Sequence, residues 1–157
     1  MLDFHESFDP PFLEHGWNRL NSLATKKLSP ELIDIMMRHP PVGGSSILIH
    51  HAHGRALHPA GQTAFSNREE HYIWAPRGYA GPGSTVEEQE RTAEWSNRIY
   101  EEAVDAGLAD SRGYWSFSRP EHCDVVRLYG EETAGRLREL KAKYNPAGAF
   151  PQAYPVL

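Results

Sequence analysis

Cysteine is almost absent from this chain: Cys123 is the only one among 157 residues. A single thiol excludes an internal disulfide and a cysteine-rich zinc site, and it fits a reducing compartment. Basic clusters are scarce as well. The chain carries 16 Lys and Arg against 21 Asp and Glu, a formal net charge of -5, and its longest basic run is Lys26-Lys27. Nucleic-acid binders concentrate cations into a strip that displaces counterions from phosphates, so no nucleic-acid partner is expected. Long apolar runs are lacking too. Mean hydropathy is -0.60, and no stretch approaches the roughly 20 apolar residues that a membrane-spanning helix needs. The start, Met1-Leu2-Asp3-Phe4-His5-Glu6, has neither the basic onset nor the apolar run of a secretory signal, which points to the cytoplasm.

What is there is enough for one core, and residues 1–157 read as a single domain. Residues 1–28, with Pro10-Pro11 and scattered aromatics, read as an irregular arm holding at most one irregular strand around Gly16 to Ala24. Ser29-Pro30-Glu31 has the order of N-cap, first helical residue and dipole-favoured acid. The spacing then predicts a short helix with Leu32, Ile33, Met36 and Met37 as its stripe, stopped by His39-Pro40-Pro41. Ser46 to His51 reads as a buried strand that runs on past Gly54 to Leu57, broken by His58-Pro59-Ala60-Gly61. Glu70 to Trp74 is a second strand, with Tyr72 and Trp74 on one face and His71 and Ile73 on the other. Pro76, Gly78, Gly81, Pro82 and Gly83 then predict a loop.

Ser84 and Glu87 have the spacing of a capping box. A long helix is expected to follow to about Ala106, burying Val86, Ala93, Tyr100 and Val104 and closed by Gly107. Gly113 to Phe117 reads as a short aromatic strand and Glu121 to Leu128 as a helical turn or two. Beyond Gly130 a last helix runs through Lys143, with Leu137, Leu140 and Tyr144 at spacings of three and four, until Asn145-Pro146-Ala147-Gly148 ends it. Strands and helices are segregated rather than alternating. The expected fold is therefore α+β, an antiparallel sheet with helices packed on one face.

Histidine supplies the first chemical signal: His50, His51 and His53 lie on or beside one strand, with His58 and His71 nearby. Residues two apart on a strand share a face, so His51 and His53 could offer two imidazoles to a metal, with His71 as a third ligand. No carboxylate stands at a recognisable ligand spacing and no His-Glu-x-x-His helix occurs, so no metal is assigned, and His51 is taken as a single acid or base. Cys123 sits beside His122, but neighbours on a helix point about 100° apart, which leaves the thiol without a base and favours a packed cysteine. Gly78 to Gly83 before a capped helix suggests a crude anion site; its glycine spacing is not that of a dinucleotide loop and Pro82 lacks an amide, so a connecting loop is preferred. Tyr72, Trp74, Tyr114, Trp115 and Phe117 fall on expected strands, where aromatics fill a core or floor a flat pocket.

The C-terminal residues add a resemblance. Tyr129-Gly130-Glu131-Glu132, then Arg136 to Pro146, then Ala149-Phe150, resembles the C-terminal segment of FAD-linked oxidases of the berberine bridge enzyme type: a Tyr-Gly, a helix carrying Arg-Leu and Lys, a Tyr-Asp-Pro and a Phe. Upstream, Leu28 to Met37, Gly54-Arg55-Ala56 and Thr63 to Arg68 resemble that family's helix, glycine-containing strand and Thr-Ala-Phe turn in the same order.

The resemblance implies the substrate-binding region of such an oxidase, acting on a small organic molecule. FAD would come only with a partner chain, and none is expected on the isolated chain. Tyr114-Trp115-Ser116 stands where the family has a Tyr-x-Asn beside the flavin; a hydroxyl thus replaces the amide, and nothing matches the family's covalent flavin attachments. On this reading Tyr114 and Ser116, with His51, are the catalytic candidates. Arg68, Tyr72, Trp74, Trp115 and His53 are the substrate-binding ones. An aromatic surface around Tyr72, Trp74 and residues 113–117 is expected to be covered by a flavin-domain partner or by a second copy in a homodimer. Two alternatives stand beside it: a cofactor-independent cyclase, isomerase or binding protein derived from that domain, and a fragment without activity.

Overall fold

The structure, a computed structural model, describes residues 16–58, 67–110, 113–122 and 124–149. The first part of the arm, the Pro59 to Gly61 break, most of the Thr63 to Arg68 turn, Cys123 and Phe150 lie outside the described residues. In chain order the elements are β1 (Trp17–Leu20), β2 (Leu23–Thr25), α1 (Pro30–Arg38), β3 (Ser46–Ala52), β4 (His71–Ala80), α2 (Val86–Asp105), α3 (Val125–Tyr129) and α4 (Glu131–Tyr144). Short 3-10 turns occupy Gly54–Leu57, Trp115–Phe117 and Pro120–His122. The fold is α+β, built on an antiparallel sheet.

β4 is the spine of that sheet. Trp74 pairs with both Leu23 and Ile49, and Arg77 with both Leu20 and Ser46, so β1 and β2 share one edge of β4 while β3 takes the other. β1 and β2 also hold a common register, in which Asn21 and Ser22 fall opposite Pro76 and Ala75. They are one strand with a two-residue interruption.

Its cause is Pro76. Both ladder groups of a residue in an antiparallel pair point to the same neighbour, and the Pro76 carbonyl accepts from Asn21 N at 3.3 Å. The missing Pro76 N–H therefore faces Asn21, and the ladder breaks there. Expecting the strand to end at Trp74 because of Pro76 and Gly78 was wrong: β4 runs through both to Ala80, and the neighbour yields instead.

The side chains of the two residues at the break make attachments on opposite sides of the sheet. Asn21, fully buried, donates from Nδ2 to Ser96 Oγ at 2.9 Å and to Asn97 Oδ1 at 3.0 Å, and Ser96 Oγ donates to the Pro76 carbonyl at 2.7 Å. These bonds tie α2 to the sheet. Ser22 points the other way by strand alternation, and its Oγ accepts from Tyr114 N at 2.6 Å.

Leu23 and Trp74 on the helix face join Leu32, Ile35, Trp95, Ile99, Tyr100 and Ala103 in the core. α2 crosses this face against bare backbone, because a Cβ on Gly78 would collide with the Thr92 carbonyl. α1 is capped by Ser29, whose Oγ accepts from Leu32 N at 3.3 Å, and it is clamped to α2 at its far end: Trp95 Nε1 donates to His39 O at 2.9 Å, and Arg38 pairs with Glu102 at 3.1 Å.

Several local expectations are corrected. α1 buries Leu32 and Ile35, whereas Met37 is 75% exposed and Ile33 is exposed beside it. β3 is half-exposed rather than buried, and it ends at Ala52 in a 3-10 turn. The capping box of α2 sits one residue later, on Thr85 and Glu88, so its buried side is Thr92, Trp95, Ser96, Ile99, Tyr100 and Ala103, and Val86 is exposed. Gly107 closes the helix with φ +65° as expected. Trp115–Phe117 is a 3-10 turn and not a strand. The final helix has the expected span, but Tyr144 is 73% exposed and Leu140 is exposed with it, because α4 packs chiefly on the five-residue α3 and buries Ala134 instead.

The close crossing at Gly78 yields a paired expectation. Gly78→Ala should destabilise the chain by about 1–3 kcal/mol through overpacking against backbone that has no rotamer to adjust. Gly135→Ala, in α4 with nothing within 4 Å of the added methyl, should stabilise it by up to about 1 kcal/mol. Denaturant unfolding of both variants checks the signs.

Candidate functional site

The aromatic and histidine residues divide between the two faces of the sheet. His51 pairs with Tyr72 across β3 and β4, on the side of Trp74 by alternation. Its ring stacks on Tyr72 with centroids 4.3 Å apart and lies 4.5 Å from the His53 ring. Its Nε2 is 3.0 Å from Glu70 Oε1. His53, Arg68 and Tyr72 stay near this end of the sheet: His53 precedes the 3-10 turn at Gly54–Leu57, and Arg68 Nη1 donates to Ala56 O, in that turn, at 2.7 Å. Trp74 is fully buried in the core. It is placed for packing, out of reach of a bound molecule, and so does not contribute to an exposed aromatic surface.

The other face carries the tyrosine turn. Tyr114 is anchored through its amide to Ser22, and its side chain remains 44% exposed. The Tyr114 ring meets Phe117 edge-on at 5.2 Å, and Phe117 meets the ring of His50 at 6.1 Å and 85°. Trp115 lies 6.5 Å from Tyr129 of α3, and Ser116 is exposed. Among the described residues no hydrogen bond or ring contact joins His51 to Tyr114 or Ser116.

The histidine on the tyrosine's side is thus His50. Alternation assigns His50 to the face opposite His51, and the 113–117 segment lies on the His50 side.

After the turn at Gly81–Gly83, the amides of Ser84, Thr85 and Glu88 are taken within the chain, that of Ser84 by Gly81 O at 3.1 Å. Thr85 N donates to Glu88 Oε2 at 2.8 Å and Glu88 N to Thr85 Oγ1 at 3.3 Å, and Glu87 adds a further carboxylate to the first turn of α2. Its own acids occupy the positive end of that helix dipole, so these residues do not fit the pyrophosphate of a dinucleotide cofactor. Among the described residues no helix is long and apolar enough to cross a membrane, and no group of three His, Cys, Asp or Glu side chains is arranged to hold a metal.

No protein-family model matches the chain, and no curated protein matches it.

His122 is a residue that sequence reasoning treated only as a neighbour of Cys123. Its ring lies flat on Tyr100 of α2, with centroids 4.2 Å apart and planes within 1°. Burial, and then the positive charge of Arg119, holds this imidazole below its ordinary pKa. Arg119 itself donates to Asn97 Oδ1 at 3.2 Å and pairs with Glu121, so the His122 turn is fastened to the network around Asn21.

The sign of the pH effect follows. Above the ordinary histidine pKa both folded and unfolded chains hold a neutral ring and the position is silent. As the pH falls below that value the unfolded chain takes up the proton first, so stability declines until the folded ring is protonated as well. Unfolding free energies measured at about pH 7.5 and about pH 5.5 should show this loss, and His122→Phe, which keeps a flat ring without a proton, should reduce it.

Proposed function

We propose that this chain is the substrate-recognising part of a berberine bridge enzyme-like, FAD-linked oxidoreductase that acts on a small organic molecule, with the flavin supplied by a partner chain. The observation that carries the reading is the division of the sheet. Helices α1 and α2 occupy one face, and the turn that holds Tyr114 is seated on the other, with its phenol exposed and the imidazole of His50 linked to it through Phe117. A phenol and an imidazole on one surface can orient a ligand by hydrogen bonding and can hold or pass a proton near neutral pH. Trp115 and Tyr129 add flat apolar area beside them.

The acids at the start of α2 leave no cradle for pyrophosphate there, which is why the flavin is assigned to a partner. A cytoplasmic setting accords with a chain that has one cysteine. The same phenol and imidazole favour a second reading, a cofactor-independent isomerase, cyclase or binding protein. Proton transfer between two such groups needs no redox partner.

Purification separates the two. The lone chain is expected to be colourless, whereas co-purification with a flavin-domain protein should give a yellow complex that turns over. Stoichiometric flavin in the lone chain would contradict the proposal, and turnover by the colourless chain alone would favour the second reading. In whichever form is active, Tyr114→Phe should lower turnover by about 10²- to 10⁴-fold with the fold intact; an unchanged rate would reduce Tyr114 to a packing role.

A further inference from the structure

A cleft of about 520 Å³ opens at the end of β2, with no part in the tyrosine face. Four stretches distant in sequence build it: residues 24–29, residues 67–71 leading into β4, the turn at residues 107–110 after α2, and Arg127 of α3. The fold holds these walls without a ligand. Ala24 N donates to Asp110 O at 2.8 Å and Asp110 N returns to Ala24 O at 2.7 Å. Thr25 Oγ1 lies within donating distance of both Lys27 O, at 2.9 Å, and Leu108 O, at 3.1 Å. A cleft preorganised in this way spends little of its binding energy on ordering itself.

His71 forms part of the wall and is only 4% exposed. Its Nδ1 is 2.6 Å from the Glu69 carbonyl, which can only accept, so Nδ1 bears the proton; Nε2 then accepts from Asn67 Nδ2 at 3.2 Å. Both ring nitrogens are used within the fold, so His71 shapes the cleft wall without a spare nitrogen for a ligand.

The charges that remain are unevenly committed. Three carboxylates and three cations line the cleft. Glu69 is paired with Lys26 at 2.9 Å, Glu70 with His51 at 3.0 Å, and Asp110 is engaged within the fold. The Lys27 ammonium and the Arg127 guanidinium have no ion pair within 4 Å and no side-chain hydrogen bond among the described residues; Lys27 has only the longer-range attraction of the exposed Glu31. Val104, Leu108 and Ala109 contribute an apolar stretch to the same lining.

We infer that this cleft binds a small organic acid, its carboxylate held by Lys27 and Arg127 and its apolar body laid against Val104, Leu108 and Ala109. Cations without a hydrogen-bonded partner, beside carboxylates that have one, select an anion over an amine. The apolar wall selects an organic anion over an inorganic one. The volume suits a molecule of metabolite size. The assignment does not depend on flavin or on the tyrosine turn.

Calorimetric titration of the full chain with benzoate tests it, with benzylamine and inorganic phosphate as parallel titrants. Saturable benzoate binding at one site is expected, weakened at least about tenfold by Lys27→Gln and by Arg127→Gln, as loss of a charge-assisted bond requires. Both side chains are exposed, so the variants should keep the parent's thermal midpoint, which shows that they fold. Benzylamine and phosphate should not saturate. Failure of benzoate to saturate at millimolar concentration would overturn the inference, as would affinity unchanged in both variants. Equal binding of benzylamine would overturn the charge assignment, and phosphate binding as tight as benzoate would overturn the organic class.

Discussion

One missing hydrogen organises this molecule. Pro76 has no N–H to give to the strand beside it, and because β4 is the spine of the sheet the deficit cannot be moved to an outer edge. The neighbouring strand opens at Asn21 and Ser22, and those two residues turn the defect into two attachments. Asn21 reaches Ser96 and Asn97 on α2, while Ser22 receives the amide of Tyr114 on the opposite side. Buried polar groups survive only when they are bonded, so the break determines where the long helix docks and where the tyrosine turn is set down.

A second constraint reinforces the first. Gly78, two residues along β4 on the same face, lets the backbone of α2 lie directly on the backbone of the sheet at Thr92. Pro76 and Gly78 together fix α2 at two points about one helical turn apart, Thr92 by contact and Ser96 by its bond to the Pro76 carbonyl. The same register brings the first half of α2 over β4 and its later residues, Ile99, Tyr100 and Ala103, into the cluster with Trp74.

Much of this was legible in the sequence where local chemistry decides. Ser29-Pro30 starting a helix, Gly107 ending one and Asn145-Pro146 stopping the last are features of chain ends, and they stand where their residue types place them. The α+β class was legible for a similar reason, since strands and helices are segregated along the chain. Where two distant stretches decide together, reading one stretch fails. Pro76 looks like the end of a strand until its neighbour is known to be broken. Tyr114 to Phe117 have the composition of a strand, but Ser22 holds the Tyr114 amide and Gly113 packs so close to Ser22 that a Cβ would clash. Leu137, Leu140 and Tyr144 repeat at helical spacing, yet Leu137 is only partly buried and Leu140 and Tyr144 face outward, because periodicity shows that a helix has a side and does not show that another element covers it. The same holds for the candidate residues: reading β3 alone does not show that His51 stacks on Tyr72 while His50 lies on the side of Tyr114 and Phe117.

That adjacency of His50 and His51 bears on how such a domain can change. A pleated strand distributes consecutive side chains to opposite faces, so the gain or loss of one residue ahead of position 50 would exchange the two imidazoles without altering their number. An insertion would set the former His50 opposite Tyr72 and the former His51 opposite His71, and a deletion would set the former His51 opposite Ile73 and the former His50 opposite Trp74. Ser45, whose hydroxyl accepts from Tyr79 N at 3.1 Å just before β3 begins, holds the alignment against that exchange. Because the two histidines are adjacent, each face keeps one imidazole through a single-residue shift, and only the place of that ring along the strand changes.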